Sequence, residues 1–228
     1  MSHSRIISEL ANNDIKLETA LKRAKLLLHK LGDEKLNSWV NAELIGYSND
    51  DELPEYRVIT GRLMGNYIKG NMTNYISVKN TSIPIGNASE EIRDELLSVK
   101  FFDSVAGLRA LIDKRPEKGN LCKPIPADCY GLLRKFIGDP YLNLTDARVE
   151  VGFHEVDTIL SCIEAKLLDI LIKLEDEFGN LDDLDIDISN VEKAQLEKLI
   201  NEMHLIVYDR AITIGDGNTI KGSDITAQ

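Results

Sequence analysis

The sequence lacks any long apolar run. No stretch of its 228 residues approaches the roughly 18 apolar residues that a helix needs to cross a bilayer. The first ten residues also lack the basic, then apolar, then small-residue order of a secretory signal peptide. We therefore expect a cytoplasmic protein with no membrane partner.

Cysteine is also scarce. Cys122, Cys129 and Cys162 form no CxxC pair, and an odd number of cysteines suits a reducing compartment better than a disulfide framework. Together with His154 they match no zinc-finger or zinc-ribbon spacing. The acidic run Asp183-x-Asp185-x-Asp187 begins like an EF-hand loop, but Ile188 and Ala194 replace the required Gly and Glu, which favours a solvated acidic loop. The sequence predicts no metal site.

Motifs for cofactors and covalent catalysis are missing as well. The stretch from Gly65 to Gly70 is not followed by the Lys-Ser/Thr of a P-loop, and Gly215-Asp216-Gly217 lacks the third glycine of a dinucleotide fingerprint. There is no GxSxG elbow. We therefore expect no cofactor, and the sequence shows no recognisable catalytic motif.

Positive charge is sparse in the second half of the chain. The 27 Lys and Arg are outnumbered by 38 Asp and Glu, a net charge of −11. Residues 1–115 contain equal numbers of basic and acidic residues, so the whole excess of negative charge lies in residues 116–228. Because phosphate binding needs clustered cations, we expect generic nucleic acid not to be a partner.

Helical periodicity is present at both ends of the chain. Apolar residues recur three or four apart from Leu17 to Leu31, where Gly32 ends the pattern, and Asp33 is placed to cap a second helix. A longer apolar stripe runs from Val156 to Phe178, and a capping-box pattern at Ser189 precedes a helix to about Leu205. These segments predict a helical N-terminus and a long C-terminal helical pair.

The middle of the chain has a β pattern. Between residues 56 and 85, aromatic and β-branched residues alternate with glycines and asparagines, as in a hairpin or meander. The fold class predicted is therefore α+β, with a helical N-terminus, a small antiparallel β-sheet, a long C-terminal helical pair and a short β-rich tail.

The last residues form a segment of their own. We predict one α+β domain over residues 1–205 and a Gly/Asp-turn, β-rich tail over residues 206–228, which begins with Ile206-Val207. Ile212 and Ile214 would share one strand face, and residues 216–218 suit a tight turn. The tail is expected to mediate self-assembly or docking onto a partner; the alternative is a frayed terminus.

Glu43 is the most informative polar position. On a helical wheel it falls in the apolar stripe of Leu36, Trp39, Val40 and Tyr47, where a carboxylate is costly unless it is paired or hydrogen-bonded. Tyr56 and Arg57 follow soon after the Pro54 turn and offer a phenol and a guanidinium. Either Glu43 is a structural link to this segment, or it is a shifted carboxylate at the edge of a cleft.

The same residues carry a family resemblance. Trp39, Glu43-Leu44, Gly46-Tyr47, Leu53-Pro54 and Tyr56-Arg57 form a "W…EL.GY…LP.YR" pattern that resembles the signature of the AbiTii domain. A later helix from Ser161 to Glu175 is also similar, so the resemblance frames roughly residues 5–180. It implies a role in abortive infection or a related bacterial conflict, and it supplies no catalytic residues. The signature residues are therefore functional, or they only hold the fold together.

Two Arg-x5-His spacings, as found in HEPN ribonucleases, offer an alternative. On one straight helix Arg23 and His29 would face different sides, whereas Arg148 and His154 lie at a strand-to-helix junction. A ribonuclease toxin is thus the second hypothesis, with Arg148 and His154 joining Glu43 and Arg57 as catalytic candidates.

From these observations we expect an antiviral defence protein of the abortive-infection type. It would act as an effector or sensor through protein binding or self-assembly, as a homo-oligomer or with a defence-system partner protein.

Overall fold

The computed structural model describes residues 3–71, 73–116, 119–189, 191–208, 212–214 and 218–220, the last two ranges by backbone alone. The helices are α1 (Arg5–Ala11), α2 (Leu17–Leu31), α3 (Glu34–Ile45), α4 (Glu90–Leu97), α5 (Val105–Asp113), α6 (Tyr130–Ile137), α7 (Phe153–Phe178) and α8 (Lys193–Tyr208). The strands are β1 (Val58–Thr60), β2 (Arg62–Gly70), β3 (Tyr75–Ser82), β4 (Ser98–Lys100), β5 (Leu121–Pro124), β6 (Leu142–Val151), β7 (Ile212–Ile214) and β8 (Asn218–Ile220). The predicted α+β class is confirmed.

The chain divides into two compact units. Unit 1 comprises Met1–Tyr56, Phe102–Leu111 and Thr158–Gln228, and unit 2 comprises Arg57–Phe101 and Ile112–Asp157. No helix within the described ranges is long and apolar enough to cross a membrane.

Unit 1 is helical because its sequence repeats apolar residues at helical spacing. The predicted stripe of α2 is buried along its length from Leu17 to Leu31, and Gly32 ends the helix in the left-handed conformation at φ +71°. The predicted stripe of α7 is buried from Ile159 to Leu174, and Phe178 at its end is half-buried. Burial of these faces supplies the core of this unit.

Helix α8 differs from its prediction at both ends. It begins at Lys193, and the hydroxyl of Ser189 is bonded to Asp187 instead of capping the helix. It continues to Tyr208, so Ile206 and Val207 are helical and the prediction of a β segment there was wrong. Val207 is buried on the inner face of the helix, so packing outweighs its β preference.

Unit 2 is built around a four-stranded antiparallel sheet with the strand order β3-β2-β6-β5. One face packs into a core of aliphatic residues: Leu63, Ile83, Ile85, Ala88, Ile125, Leu133, Ala147 and Val149. The alternate residues of β2 and β6 fall on the opposite face of the sheet. In the register of these two strands, Arg62 lies opposite Glu150 and Met64 lies opposite Arg148. The sheet is therefore apolar on one side and strongly charged on the other.

Gly65 is needed for a close approach within this sheet. A Cβ at this position would lie 2.1 Å from the carbonyl oxygen of Asp146, a distance that no side chain tolerates. The register of β2 against both neighbouring strands shifts just after this glycine.

The short strands β1, β4, β7 and β8 form two separate antiparallel pairs. β1 pairs with β4 in a separate two-stranded ladder, and β7 pairs with β8, with Thr213 opposite Thr219. Strands β7 and β8 pair as the predicted hairpin requires, while residues 216 and 217 of its predicted turn and residues 221–228 of the tail lie outside the described residues. Strands β4 and β5 have no periodic signal of their own.

Candidate functional site

Helix α3 positions the candidate site of unit 1. The carboxylate of Asp33 caps the helix by accepting a hydrogen bond from the Leu36 N–H at 2.8 Å. The inner face of the helix then buries Trp39, Val40 and Glu43. The Glu43 carboxylate was predicted to lie within an apolar stripe, and the exposed fraction of this residue is 0%.

Two phenols satisfy the Glu43 carboxylate. The hydroxyls of Tyr47 and Tyr56 each donate to its Oε1 atom at 2.7 Å. The hydroxyl of Tyr56 also accepts a hydrogen bond from the indole N–H of Trp39 at 2.8 Å. We call these four residues the Glu43 cluster. Its hydrogen bonds offset the cost of burying a carboxylate.

Gly46 lets the chain turn back toward Glu43. It has φ +96°, and a Cβ at this position would lie 2.9 Å from the carbonyl oxygen of Phe102. That same carbonyl accepts a hydrogen bond from the Tyr47 N–H at 2.8 Å. A glycine after α3 is therefore required for the phenol of Tyr47 to reach the carboxylate.

Burial and the charge of Glu43 favour the neutral forms of two ionisable groups, the Tyr56 phenol and the Cys162 thiol. Burial, followed by the negative charge of Glu43, raises the pKa of the Tyr56 phenol far above its usual range. Burial also raises the pKa of the Cys162 thiol. The positive charge of Lys166 acts to lower this pKa, and the negative charge of Glu43 acts to raise it. Because a neutral phenol and a neutral thiol are poor nucleophiles, these shifts do not favour nucleophilic catalysis by either group.

Arg57 and Pro54, two further signature residues, are buried too. One Nη atom of Arg57 donates to the carbonyl oxygen of Phe101 at 3.0 Å, and the Phe101 N–H returns a bond to the Arg57 carbonyl at 2.9 Å. Arg57 therefore fastens the segment before β1 to the end of β4. Its predicted ion pair with Glu43, and a catalytic role for either residue, stay predictions.

A surface recess lies beside α3. It has a volume of about 350 Å³, and we call it the aromatic recess. Three of its lining residues are aromatic (Trp39, Tyr47 and Tyr208) and two are acidic (Asp51 and Glu52). The other lining residues are neutral: Ser38, Asn41, Ala42, Ile45 and Gly46.

Negative charge dominates the electrostatics around this recess. Burial raises the pKa of the Tyr208 phenol, and the charges of Asp33, Glu52 and Glu43 raise it further. The hydroxyl of Tyr208 donates to the carbonyl oxygen of Lys35 at 3.3 Å. An aromatic wall under a negative potential suits a cation.

An Asp33–His204 contact ties α3 to α8 beside the recess. The Nε2 atom of His204 lies 2.8 Å from the Oδ1 atom of Asp33. Burial acts to raise the pKa of Asp33, but the hydrogen bonds from His204 and the Leu36 N–H outweigh it and lower the pKa. This link keeps α8, and with it Tyr208, in place against α3.

In unit 2, Arg148 is the centre of an ion cluster. Its Nε donates to Glu150 at 2.8 Å, one Nη donates to Asn80 at 2.6 Å and the other pairs with Asp146. Burial acts to lower the pKa of this arginine, while the two carboxylates raise it. All three guanidinium nitrogens are therefore bound within the sheet face.

His154 lies in the first turn of α7, with a side chain that is 77% exposed. Its Nε2 atom is 3.2 Å from Glu155, and the residue lines a pocket of about 330 Å³. Arg62, Asn80, Glu150 and Glu155 also line this pocket. The pocket thus brings His154 near two partners of Arg148, while Arg148 itself is not among the lining residues.

The other Arg-x5-His pair lies on α2. Arg23 is bound to Glu9 at 2.6 Å, and His29 is exposed in the last turn of the helix. Among the described residues, no group of three or more His, Cys, Asp or Glu is placed to hold a metal ion.

These features define an α+β protein in which one helical unit encloses a carboxylate and a second unit carries a charged sheet face. The AbiTii family model matches residues 3–199, and the chain belongs to this family. This match confirms the resemblance in the signature residues. The family is named for abortive infection, a bacterial defence against phage. No curated protein and no solved structure matches the chain.

Two polar links of unit 1 were not predicted from the sequence. Besides His204, the buried Ser4 accepts a hydrogen bond from the Leu181 N–H at 2.9 Å, and its own N–H donates to Glu175 at 2.5 Å. These partners lie more than 170 residues apart in sequence, so no local pattern could pair them.

Proposed function

We propose that this protein serves antiviral defence of the abortive-infection type as an effector or sensor, and that it works by binding a basic segment of a partner protein. The aromatic recess carries this proposal. Its lining combines three aromatic residues and two carboxylates with neutral residues, which complements an arginine or lysine side chain. The membership of the family supports the biological setting.

The signature residues connect the recess to the buried cluster. Trp39, Gly46 and Tyr47 line the recess, while Trp39 and Tyr47 also hydrogen-bond within the Glu43 cluster. The cluster therefore fixes the aromatic wall before a partner arrives, which lowers the entropic cost of binding. On this proposal the signature residues act by holding the wall of the recess in the shape that binds the partner.

A pair of charge-neutralising substitutions tests the proposal. Asp51→Asn with Glu52→Gln removes both charges. The amide oxygen introduced by Asp51→Asn can still accept the hydrogen bond from the Ser48 N–H that the Asp51 carboxylate accepts at 2.6 Å. Binding of N-acetyl-arginine amide, followed by NMR shifts, should be lost in this variant, and protection of cells in a plaque assay should fall with it. Glu34→Gln, an exposed acid of α3 outside the recess, is the matched control.

A neutral probe tests the charge requirement. N-acetyl-citrulline amide has almost the same shape as the arginine probe but no charge, so the wild-type protein should bind it far more weakly. Equal binding of both probes, or full defence by the Asp51/Glu52 variant at normal stability, would overturn the proposal.

A ribonuclease toxin is the second candidate, and the exposed His154 at the rim of a polar pocket favours it. Single changes Arg148→Gln and His154→Ala should then abolish growth arrest and the loss of total RNA on expression. Under the binding proposal neither change affects defence.

A further inference from the structure

The aromatic recess extends along one face of α3. Ser38, Asn41, Ala42 and Ile45 line it, and their positions repeat at helical spacing, so they lie on the same side of the helix. From the first to the last of these residues the helix rises about 10 Å, at about 1.5 Å per residue. The recess therefore offers a length of helix surface besides the aromatic rings and the acids that bind the cation in the proposed function.

Tyr208 marks the end of the recess that suits the cation. Its hydroxyl donates to the carbonyl oxygen of Lys35, in the first turn of α3, at 3.3 Å. Burial, followed by the charges of Asp33 and Glu52, raises the pKa of this phenol. Because such an effect falls with distance, the carboxylate of Glu52 lies near the ring. A basic side chain bound between Tyr208 and Glu52 leaves Ile45, at the other end of the helix, uncovered.

Asn41 lies between the two ends of the recess, with a half-buried side chain. Its amide has no hydrogen-bond partner among the described residues, and neither has the hydroxyl of Ser38. A side-chain amide offers a donor and an acceptor together, which matches the C=O and N–H groups of a peptide backbone. Asn41 is therefore placed to hold an extended peptide whose basic side chain lies at the Tyr208 end.

Ile45 supplies an apolar contact at the far end. It is 81% exposed, the largest fraction among the exposed large apolar residues within the described ranges. It is the last residue of α3 and lines the recess. A single exposed aliphatic side chain is common on a protein surface. Here, however, an apolar group of a bound peptide can cover it and gain free energy by leaving water.

The geometry of the recess sets the spacing between these two side chains of the partner. In an extended peptide, side chains two residues apart point to the same side and are about 7 Å apart. The flexible stem of arginine or lysine covers the difference between this spacing and the length of the recess. We propose that the basic segment bound by the recess is extended and carries an apolar residue two positions from the basic one, an inference that rests on the proposed function. Asn41 binds the backbone between these two residues, and Ile45 contacts the apolar side chain.

Four tripeptides test the spacing: acetyl-Arg-Ala-Leu amide, acetyl-Leu-Ala-Arg amide, and the same two with serine in place of leucine. Their affinities for the full chain are measured by NMR shifts. For one of the two orders, the leucine peptide should bind roughly fivefold more tightly than its serine match, because part of the leucine side chain leaves water. The order that shows this preference gives the direction of the segment along α3.

The variant Ile45→Ser tests the apolar contact. The two peptides of the preferred order should bind this variant within roughly twofold of each other, and the serine peptide should keep its wild-type affinity. Leu26→Ser is the matched control, since Leu26 is an aliphatic residue of α2 that is 53% exposed and lies outside the recess. It should keep the full preference for leucine.

The variant Asn41→Ala tests the backbone contact. It should weaken the leucine and serine peptides by the same factor, roughly fivefold, because hydrogen bonds to the peptide backbone are lost while the apolar contact remains. Asn201→Ala, at an exposed asparagine of α8 outside the recess, is the matched control and should leave all affinities unchanged.

Equal binding of each leucine peptide and its serine match would overturn this inference and leave the proposed function intact, since the arginine would still bind. A preference for leucine that survives Ile45→Ser, or unchanged affinities in Asn41→Ala, would overturn the contacts assigned to these residues. Failure of the wild-type protein to bind N-acetyl-arginine amide would instead overturn the proposed function, and this inference with it.

Discussion

Glu43 in unit 1 and Arg148 in unit 2 are both charged residues with several partners, yet they differ in their exposure to water. Glu43 is fully buried, and the partners described above are neutral phenols. Arg148 lies on a sheet face with a side chain that is 21% exposed, and its partners include two carboxylates. Water screens the second arrangement and not the first, so hydrogen bonds of similar length differ in energetic weight.

The comparison implies that Glu43→Ala has the largest effect on stability. We expect a loss of about 2–4 kcal/mol, because two phenol donors lose their buried acceptor and a cavity remains. Urea unfolding measures the free energy. Glu34→Ala, an exposed acid of the same helix, should change it by less than about 0.5 kcal/mol.

The predicted link between Glu43 and Arg57 can be tested by a double-mutant cycle. Arg57→Ala should also lower stability by about 2–4 kcal/mol, and the double variant should lose much less than the sum. Additive losses would show that the two residues do not pair.

Tyr56→Phe should have the next largest effect, about 1–2 kcal/mol, because it removes a buried hydrogen-bond partner. The change deletes the donor to Glu43 and leaves the indole N–H of Trp39 without its acceptor inside the core. Trp39 is the sole tryptophan of the chain, so its fluorescence emission reports the change directly. Tyr75→Phe, at an exposed tyrosine of β3, should leave both stability and emission unchanged.

The Asp33–His204 link predicts a pH dependence. Because the folded-state pKa of Asp33 is lowered, its contribution is present above the unfolded pKa of about 3.9 and is lost as the pH falls through the lower folded value. Asp33→Asn keeps a capping acceptor but has no charge. Stability curves of the two proteins should converge as the pH falls below about 4. A constant difference would contradict the link.

Arg148→Gln should have a small effect, about 0–1 kcal/mol, since the cluster is partly exposed. The loss should shrink further in about 1 M salt, where charges are screened within about 3 Å. A loss as large as that of Glu43→Ala would remove the distinction between the two clusters.

Removal of residues 211–228 should have the smallest effect on stability. If the tail mediates self-assembly, as we predicted from its sequence, the shortened protein should have a lower mass by light scattering while its melting temperature stays within about 1 °C. An unchanged mass would show that the tail does not hold copies together.

Local sequence patterns predicted the long elements well. In α2 and α7 the buried residues are those that the apolar spacing indicated, with Phe178 half-buried. The reason is that residues three or four apart share one face of a helix in any surroundings. The helix cap at Asp33 was predictable for a similar reason, because its carboxylate accepts a hydrogen bond from Leu36, only three residues later in the sequence. By contrast, β4 and β5 have three and four residues each and exist through pairing with distant strands.

The candidate site was predictable in part for the same reason. A carboxylate within an apolar stripe identified Glu43, and Tyr47, its i+4 neighbour, could be expected to contact it. The aromatic recess was not predictable, since Tyr208 reaches α3 from the other end of the chain.

The sequence by itself determined the helices, the charge imbalance between the two halves of the chain, the buried position of Glu43 and the family to which the chain belongs. Each of these depends on residue types or on spacings of a few residues. The tertiary structure decided which partners satisfy Glu43, Ser4 and Asp33, which aromatic rings and acids line the recess, and which side of α3 is left exposed beside it. Those outcomes depend on contacts between residues far apart in the chain, and such contacts form only when the cores of the two units are packed.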